Sequence, residues 1–470
     1  MDRKCKMITC RLSNNQERYF LAEKFTDKNY ALPVSYLVQG PLDVNRLRSS
    51  LTRVMKVHDI FRLQITKNND GEIIQKLKEQ FTIDVDCWDK ADAPKEYIDQ
   101  KINDYFYSKD DILDVPLVKF QVIKLSNDKS VFTFSIHHII CDGISIEIFL
   151  QELGQSWSDP LKYEMRPKSS FLDCLAKNNL ISEPSDGESD FWKKYLLGSQ
   201  EVNVPPDKEL SRESEFACSS ALIEYELSRN LELVSKKIGV SKFNIVYTAY
   251  NFLLSRYSGS EEIITTFQSA GRRMLKNADT VMGLFSNALI LRTNLNSNQT
   301  FNKVCVKTRH DIRNCLANER LPYHKVISES GLHPKYGFNW YPSSHEFNLD
   351  GLTINKYGGT RWQSDYKINL HCTESNGNVN LDLHYDLNVF TEKRVSIFLE
   401  QMVNILIQIT ANININLSEI NLTSQFDSLL SELSKDNLIR NRSDNDNCIY
   451  DAFIEKSKLQ PNQTGLPPIS

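Results

Sequence analysis

A seven-residue segment, HHIICDG from His137 to Gly143, combines two adjacent histidines with an aspartate and a glycine. Histidine takes up or releases a proton near neutrality, because its unperturbed pKa is about 6.5. A buried Asp142 has to pair with a cation or orient an imidazole, since an unpaired buried charge is costly. Gly143 permits a tight turn that leaves room for a substrate carbonyl beside main-chain amides. This combination of residue types favours acyl transfer.

The flanking sequence indicates how these residues are positioned. The preceding run VFTFSI is rich in β-branched and aromatic residues and predicts a strand. Its alternation places His138 on the same face as three apolar residues and His137 on the opposite face. The following run ISIEIFLQEL has apolar residues at helical spacing and predicts a helix whose start is marked by Ser145. The segment is therefore a strand, loop and helix junction.

A structural interpretation of the two histidines also has to be considered. A lone histidine on an apolar strand face is more often a core residue with a satisfied hydrogen bond than a catalyst, and a motif match is only a hypothesis. Here both histidines share one short loop with Asp142 and Gly143. That clustering favours a functional site.

The segment HHIICDG resembles the His-His-x-x-x-Asp-Gly signature of the condensation domains of nonribosomal peptide synthetases. Other segments resemble further motifs of this family in the same order, so that the resemblance runs from about Leu12 to about Ile420. They are LSNNQERYFLAEKF (12–25), GPLDVNRLRSSLTRVMKVHDIFRLQI (40–65), FQSAGRR (267–273), VMGLFSNALILRT (281–293) and RLPYHKVI (320–327). The chain departs from the family at Ile144, where an aromatic is usual, and at Ser286 and Ala288, where Val and Thr are common. These departures leave the accepted acyl chain and amino acid open.

The resemblance implies a mixed α/β (α+β) fold of two chloramphenicol acetyltransferase-like lobes, which form a V-shaped pseudo-dimer around a central substrate tunnel. The length of 470 residues also exceeds what one hydrophobic core usually supports. We expect an N-terminal lobe at 1–180 that carries the motif and a C-terminal lobe at 181–425, divided at the polar, turn-rich run NNLISEPSDGESD. Residues 426–470 resemble a linker and the start of a truncated adenylation domain.

The implied activity is amide bond formation between a carrier- or CoA-bound acyl thioester donor and an aminoacyl-carrier acceptor. No intrinsically bound cofactor is expected, because the phosphopantetheine arms of the carrier proteins are the substrates. The implied partners are donor and acceptor carrier proteins and an adjacent adenylation domain, with acyl-CoA as another possible donor. Were Met1 the native start, the donor would arrive in trans, as for an N-terminal or starter condensation domain.

The resemblance and the chemistry together assign roles within the motif. We expect His138 to accept a proton from the acceptor amine or to hold that amine during attack, and both versions stay open. Asp142 is expected to pair with an arginine, for which Arg62 is the family-matched candidate. His137 is assigned mainly to structure, and Gly143 to backbone access near the oxyanion.

Residues outside the motif receive mainly structural assignments. Asn287 and Arg292 are expected to brace a crossing between the lobes rather than to touch substrate. Trp340 and Tyr341 are candidates for an acceptor channel, although core packing is the better interpretation for an aromatic there. Surface or capping roles account equally well for the family-matched His58 and His324.

Composition excludes several other classes of protein. A net charge of -4 with 25% charged residues gives no electrostatic footprint for nucleic acid or an acidic membrane. The ten cysteines form no Cys-x-x-Cys pair and no metal-like spacing with histidine, which argues against zinc and disulfides and fits a reducing cytoplasm. The N-terminus has no apolar segment typical of a signal peptide, and no run of about 18 apolar residues occurs. We expect a cytoplasmic monomer without a metal.

Related functions are distinguished by their own motifs. The Glu-Gly-His-Gly-Arg run of epimerisation domains is absent, and the first histidine of the pair is not the Asp of heterocyclisation domains. YGFNW differs from the Asp-Phe-Gly-Trp-Gly block of plant-type acyltransferases. A free-amine acyltransferase and a non-catalytic platform that binds carriers or recruits a partner enzyme stay open as alternatives.

Apolar periodicity predicts further elements along the chain. The predicted helices are 44–57 after an Asp43 cap, 242–257 after a Ser241 cap, and 391–409. The predicted strands are 117–123, 262–268 and 379–385.

Overall fold

The computed structural model describes most of residues 9–422. The exceptions are 27–28, 79–80, 92, 107–111, 114–115, 168, 183–184, 208–214, 274, 277, 342–346 and 359–363. The predicted linker and adenylation segment at 426–470 therefore lies outside the described residues. Across the described residues, none of the helices combines the length and the apolar character that crossing a membrane requires.

The described strands alternate with helices along the chain. The strands are β1 (Thr9–Arg11), β2 (Ala31–Gln39), β3 (Leu63–Lys67), β4 (Ile73–Leu77), β5 (Asp86–Asp89), β6 (Val118–Ser126), β7 (Lys129–His137), β8 (Phe216–Ile223), β9 (Glu262–Ser269), β10 (Asn287–Asn294), β11 (Tyr336–Tyr341), β12 (Thr353–Lys356), β13 (Ile368–Ser375) and β14 (Asn378–Asp386). The helices are α1 (Asn14–Phe25), α2 (Val44–Val57), α3 (Lys95–Phe106), α4 (Gly143–Ser158), α5 (Pro160–Glu164), α6 (Phe171–Lys177), α7 (Asp186–Leu196), α8 (Tyr225–Ile238), α9 (Lys242–Ser258), α10 (Phe301–Ala317), α11 (Tyr323–Ser330) and α12 (Glu392–Ala411). Short 3-10 turns lie at Asp59–Arg62, His138–Ile140 and Leu417–Glu419.

Three sheets organise these strands. A five-stranded sheet has the order β12-β2-β7-β6-β5, a six-stranded sheet has the order β10-β9-β11-β13-β14-β8, and β1-β4-β3 form a small third sheet. The strand before the motif, β7, is central in the first sheet and antiparallel to both neighbours. In the six-stranded sheet, β11 runs parallel to β9 and to β13.

Two large hydrophobic cores accompany the two larger sheets. The core of the six-stranded sheet draws its buried residues from between Trp192 and Ile420. The core beside the five-stranded sheet draws mainly on residues 12–175, but it also takes in apolar residues at 278–285 and 347–349. Strand β12, from the same later part of the chain, pairs with β2 in the first sheet. The C-terminal half of the chain therefore completes the N-terminal core, and the division at residue 180 stays a prediction.

Most predicted elements are confirmed to within a few residues. Helix α2 begins after Asp43, whose side chain accepts hydrogen bonds from the amides of Asn45 and Arg46 at 2.8 and 3.1 Å. Helix α9 begins after Ser241, which forms a capping box with Asn244. Helix α12 and strands β6, β9 and β14 likewise match their predicted positions.

The N-cap of the helix after the motif lies three residues earlier than predicted. Asp142, rather than Ser145, is the N-cap, because its side chain accepts a hydrogen bond from the Ser145 amide at 2.9 Å. The strand before the motif also differs from a simple alternating strand, since every residue from Ser130 to Ile136 is buried. As a central strand, β7 has Phe132 facing the large core, while Val131 packs with residues of α3 in a separate small core.

Candidate functional site

The main chain holds the two histidines of the motif at the end of β7. The amide of His137 donates to the carbonyl of Leu117 at 2.8 Å, and the amide of His138 donates to the carbonyl of Tyr30 at 2.9 Å. A 3-10 turn then carries the chain from His138 to the start of α4. Both histidines are therefore fixed at a point where the chain leaves the sheet.

The imidazole of His137 is held by hydrogen bonds on both nitrogens. Its Nδ1 accepts from the amide of Ile139 at 3.1 Å, and its Nε2 lies 2.7 Å from a carboxylate oxygen of Glu23 on α1. Because Nδ1 accepts, the ring proton is on Nε2 and is donated to Glu23. Both nitrogens are occupied, which supports a structural role.

The imidazole of His138 is partly exposed and stacks on Tyr19 of α1. The ring centroids are 4.2 Å apart, and the Tyr19 hydroxyl lies 3.0 Å from Nε2. Burial lowers the pKa of His138 to about 4; its own main-chain carbonyl opposes this shift, and the positive charge of Arg18 adds to it. The ring is therefore neutral at pH 7 and can accept a hydrogen bond or a proton.

Asp142 is buried and its carboxylate is saturated with hydrogen bonds. Oδ1 accepts from the Ser145 amide at 2.9 Å and from an Arg272 guanidinium N–H at 2.8 Å. Oδ2 accepts from the amides of Phe285 and Ser286 at 3.0 and 3.3 Å. With both oxygens engaged in this way, the carboxylate is suited to fixing the loop and not to proton transfer with a substrate.

The arginine that pairs with Asp142 is Arg272, and the sequence-based candidate Arg62 is wrong. Arg62 follows α2 and lies with its guanidinium 5.8 Å from the centre of the Phe81 ring. Arg272 reaches Asp142 from the turn after β9. The turn FQSAGRR resembles a family segment, but neither residue type nor local spacing pairs its arginine with an aspartate 130 residues away.

The Arg272 guanidinium is held by the segment that precedes β10. It donates to the carbonyls of Ala278 and Val281 at 2.8 and 2.7 Å, and it packs 4.4 Å from the centre of the Phe285 ring. The turn before it requires a glycine, because Gly271 has a φ of 64° and a side chain there would meet the Phe285 carbonyl. The ion pair thus ties the motif to two later segments of the chain.

Gly143 lies in close contact with Tyr341 at the end of β11. A Cβ atom at Gly143 would approach Tyr341 Cε1 to 3.2 Å. Burial raises the pKa of Tyr341 to about 12, so its hydroxyl stays protonated. The neighbouring Trp340 instead packs against Phe243 and Phe338 at the core of the six-stranded sheet. Packing thus accounts for Trp340, whereas the channel interpretation of Tyr341 stays a prediction.

Comparison with known proteins identifies the family. The family model named Condensation domain matches residues 8–429. The chain belongs to the condensation-domain family. Bacitracin synthase 1 of Bacillus licheniformis is 26% identical over 402 residues, which is 82% of this chain and 8% of that protein. Gramicidin S synthase 2 of Brevibacillus brevis is 24% identical over 432 residues, which is 88% of this chain and 10% of that protein. The condensation domain thus spans about a tenth of these nonribosomal peptide synthetases.

Solved structures share the fold at low sequence identity. The first condensation domain of the calcium-dependent antibiotic synthetase, in complex with a substrate analogue, aligns with a TM-score of 0.73 at 16% identity over 89% of this chain and all of that chain. The four-domain synthetase AB3403 aligns with a TM-score of 0.76 at 15% identity over 91% of this chain and 35% of that chain. The X-domain from teicoplanin biosynthesis aligns with a TM-score of 0.76 at 17% identity over 87% and 97% of the two chains. The chain therefore has the mixed, chloramphenicol acetyltransferase-like fold of condensation domains.

Asn287 and Arg292 of this condensation domain both contact other parts of the chain. The buried Asn287 amide donates to the carbonyls of Glu319 and Leu321, each at 2.9 Å, and so braces the loop before α11. Arg292 makes an ion pair with Glu262 on the neighbouring strand at 2.7 Å. Both contacts lie within the half of the chain that builds the six-stranded sheet, so they do not form the lobe crossing that the sequence suggested.

Of the two other family-matched histidines, His58 has a clear structural position. It stands at the C-cap position of α2 and is buried, so the surface alternative is wrong, and its side chain makes no capping hydrogen bond to the 3-10 turn that follows. Its Nε2 lies 2.6 Å from Glu152 on α4, a carboxylate that also accepts from the Tyr163 hydroxyl. His324 lies partly buried in the first turn of α11. Over the described residues, no group of three or more His, Cys, Asp or Glu side chains is placed to hold a metal ion.

Removing either partner of the Asp142–Arg272 pair should strongly destabilise the domain. We expect Asp142→Ala or Arg272→Ala to lower the free energy of unfolding by about 3–5 kcal/mol, because each leaves the other charge buried and unpaired. The double variant should lose less than the sum of the two single losses. Chemical denaturation of the three variants measures this coupling.

The exposed ion pair between Arg11 and Glu72 provides the control. Arg11→Ala should change the free energy of unfolding by no more than about 1 kcal/mol, since exposed pairs contribute little. Additive losses for Asp142→Ala and Arg272→Ala would contradict the coupling.

Proposed function

We propose that this domain forms an amide bond between an acyl thioester donor and the amine of an aminoacyl acceptor, each carried on the phosphopantetheine arm of a carrier protein. The observation that carries the proposal is the intact junction, in which His138 is neutral and partly exposed while Asp142 is withdrawn into the ion pair with Arg272. Membership in the condensation-domain family supports the same reaction. Amide formation breaks the C–S bond of the donor as the C–N bond forms.

In the proposed reaction, Nε2 of His138 accepts a hydrogen bond from the attacking amine. The amine has an ordinary pKa of about 7.7–8.0, so a large part of it is already neutral at pH 7–8. Its nitrogen gains positive charge as it attacks the thioester carbonyl and then has to lose a proton. That proton passes to Nε2 and finally to the departing sulfur. Positioning of the amine and removal of its proton thus use the same nitrogen.

The start of α4 is the proposed location of the thioester oxygen. Main-chain amides at a helix N-terminus carry partial positive charge, which stabilises a developing oxyanion. Gly143 allows a carbonyl to approach these amides because it has no side chain. A Cβ atom at position 143 would lie 3.2 Å from Tyr341 Cε1, so a side chain there requires Tyr341 to shift by a few tenths of an ångström.

The wider assembly is also part of the proposal. We place the junction in a tunnel between two lobes of a V-shaped domain, with the donor and acceptor arms entering from opposite sides and no resident cofactor. The relatives are far longer synthetases, which supports carrier proteins and an adjacent adenylation domain as partners. An acyl-CoA donor would correspond to a starter role. We expect the protein in the cytoplasm.

Recruitment of a partner enzyme is the second candidate function. One structural neighbour, the X-domain from teicoplanin biosynthesis, was solved in complex with OxyB and aligns with a TM-score of 0.75 at 17% identity. Likeness at this identity shows only the fold. The intact histidine pair and the satisfied Asp142 favour catalysis over a platform.

A reconstituted condensation assay tests the function directly. The domain is mixed with an aminoacyl-carrier acceptor and either an acyl-carrier donor or the matching acyl-CoA, and the product on the acceptor carrier is detected by intact mass. We expect amide formation with at least one donor type, and the preferred donor distinguishes an elongation role from a starter role. Carrier binding without any amide product would support the platform function instead.

Replacing His138 should remove the activity without unfolding the domain. We expect His138→Ala to lower kcat by about 100- to 10,000-fold, the usual contribution of a general base. The exposed His333 provides a matched control, and His333→Ala should keep wild-type turnover. Unchanged turnover of His138→Ala, with the fold verified by circular dichroism, would remove the assignment.

The low pKa of His138 should be visible in the pH dependence of kcat/KM for the acceptor. As the pH falls below about 7.5, the acceptor amine becomes protonated while His138 does not. The value of log(kcat/KM) should therefore fall by one for each pH unit. His138 stays neutral until its pKa of about 4, so that slope should persist down to about pH 5. A second break near pH 6.5 would show a histidine with an ordinary pKa.

A further inference from the structure

Tyr19 touches the nitrogen to which the proposed mechanism assigns the proton. Its hydroxyl lies 3.0 Å from His138 Nε2, and the planes of the two rings are 21° apart. The hydroxyl therefore approaches Nε2 from over the face of the imidazole, and the stacked ring restricts how that imidazole can tilt. Tyr19 thus packs against the imidazole ring of His138 and also contacts its reacting nitrogen.

The surroundings decide which partner donates this hydrogen bond. Among the described residues, Nδ1 of His138 has only the main-chain carbonyl of His138 itself to donate to, at a geometry short of a standard hydrogen bond. A proton on Nδ1 faces that carbonyl favourably, whereas a lone pair there would be repelled. Nε2 is then unprotonated, and its lone pair, which lies in the ring plane, stays open to the amine while the Tyr19 hydroxyl directs its O–H at the same atom from over the ring face. Burial raises the pKa of Tyr19, so the hydroxyl keeps its proton.

A cluster of aromatic and charged side chains holds Tyr19 in this position. Tyr30 meets the Tyr19 ring edge-on at 5.4 Å and donates its hydroxyl to Asp365 at 3.3 Å. The Arg18 guanidinium lies 5.3 Å from the centre of the Tyr19 ring and 4.0 Å from Asp365. The ring of Tyr323 on α11 also packs against this guanidinium, with 4.5 Å between the ring centre and Cζ of Arg18. Residues from three separate segments therefore position a single tyrosine.

We propose that Tyr19 is a positioning residue for His138, which holds the imidazole plane and keeps Nε2 as the unprotonated, proton-accepting nitrogen. The inference rests on the proposed amide-forming function, in which Nε2 is the acceptor. A hydrogen-bond donor on the unprotonated nitrogen stabilises the neutral ring, and so does the nearby positive charge of Arg18. Asp142 acts in the opposite direction, because its negative charge favours the protonated ring.

Two substitutions separate the hydroxyl from the ring. Tyr19→Phe keeps the stacked ring and removes the donor, so we expect kcat to fall about three- to tenfold, the effect of one lost hydrogen bond. Tyr19→Leu removes both and should lower kcat about 100-fold, while KM for the acceptor changes little. Tyr257→Phe is the matched control, because it removes a hydroxyl that donates to Gln401 at 2.8 Å and not to His138, and it should stay within about twofold of wild type.

The pH profile gives a readout that a packing role would not change. Loss of the Tyr19 hydroxyl removes a donor that favours the neutral ring, so the pKa of His138 should rise and the lower break in log(kcat/KM) should move toward neutral pH. His137 and Asp142 on the same junction, and Arg18, Asp365 and Tyr323 around it, are unchanged in this variant. Wild-type kcat and an unmoved break in Tyr19→Phe and Tyr19→Leu would overturn the proposal.

NMR of the His138 ring nitrogens separates failure of this inference from failure of the proposed function. In the wild type, Nε2 should show the shift of an unprotonated nitrogen, and Tyr19→Phe should raise the pKa in the same titration. These results would support the positioning role even if the chain formed no amide, in which case only the proposed function fails. A proton on Nε2, or an identical titration in both proteins, would overturn the role of Tyr19. Thermal denaturation shows whether each variant is folded.

Discussion

The site depends above all on one buried ion pair, between Asp142 at the start of α4 and Arg272 in the turn after β9. Desolvating both charges is costly, and hydrogen bonds to the remaining lone pairs and N–H groups offset that cost. Here main-chain amides donate to both carboxylate oxygens, and the guanidinium donates to main-chain carbonyls through a terminal nitrogen, while its Nε has no hydrogen-bond partner among the described residues. A network with so many of its groups paired favours one arrangement. The segment after β9 and the segment before β10 are therefore fixed relative to the motif.

Helix α1 supplies the second support, and it treats the two histidines differently. Tyr19 and Glu23 are four residues apart, so they lie on one face of the helix, where Tyr19 meets His138 and Glu23 meets His137. A third residue on α1, Gln16, donates to the carbonyl of Ile139 in the turn between the histidines and Asp142. The Glu23 carboxylate pairs with His137 Nε2, whereas burial keeps His138 neutral beside the stacked tyrosine. Adjacent histidines thus acquire separate roles from residues one helical turn apart.

Local sequence signals predicted the elements whose formation depends on interactions within a few residues. Asp43 before α2 and Ser241 before α9 satisfy amides within the next turn, so capping residues and apolar periodicity located both helices. Arg272 and Tyr19 lie in segments that resemble family motifs, yet their contacts depend on how distant elements dock. The burial of both faces of β7 depends in the same way on its central place in the sheet. The contacts that the sequence did not predict are those between residues far apart in the chain, whatever their residue type.

The lowered pKa of His138 also bears on whether this residue positions the amine or removes its proton. A neutral imidazole with a pKa of about 4 is a weak base in the resting site, so its first action on an approaching amine is to accept a hydrogen bond. Attack then places negative charge on the thioester oxygen and afterwards on the sulfur, close to the ring. That charge favours the imidazolium and raises its pKa, so Nε2 becomes a competent base only as the transition state forms. Positioning and proton removal are then successive actions of one nitrogen, and the buried surroundings of His138 determine their order.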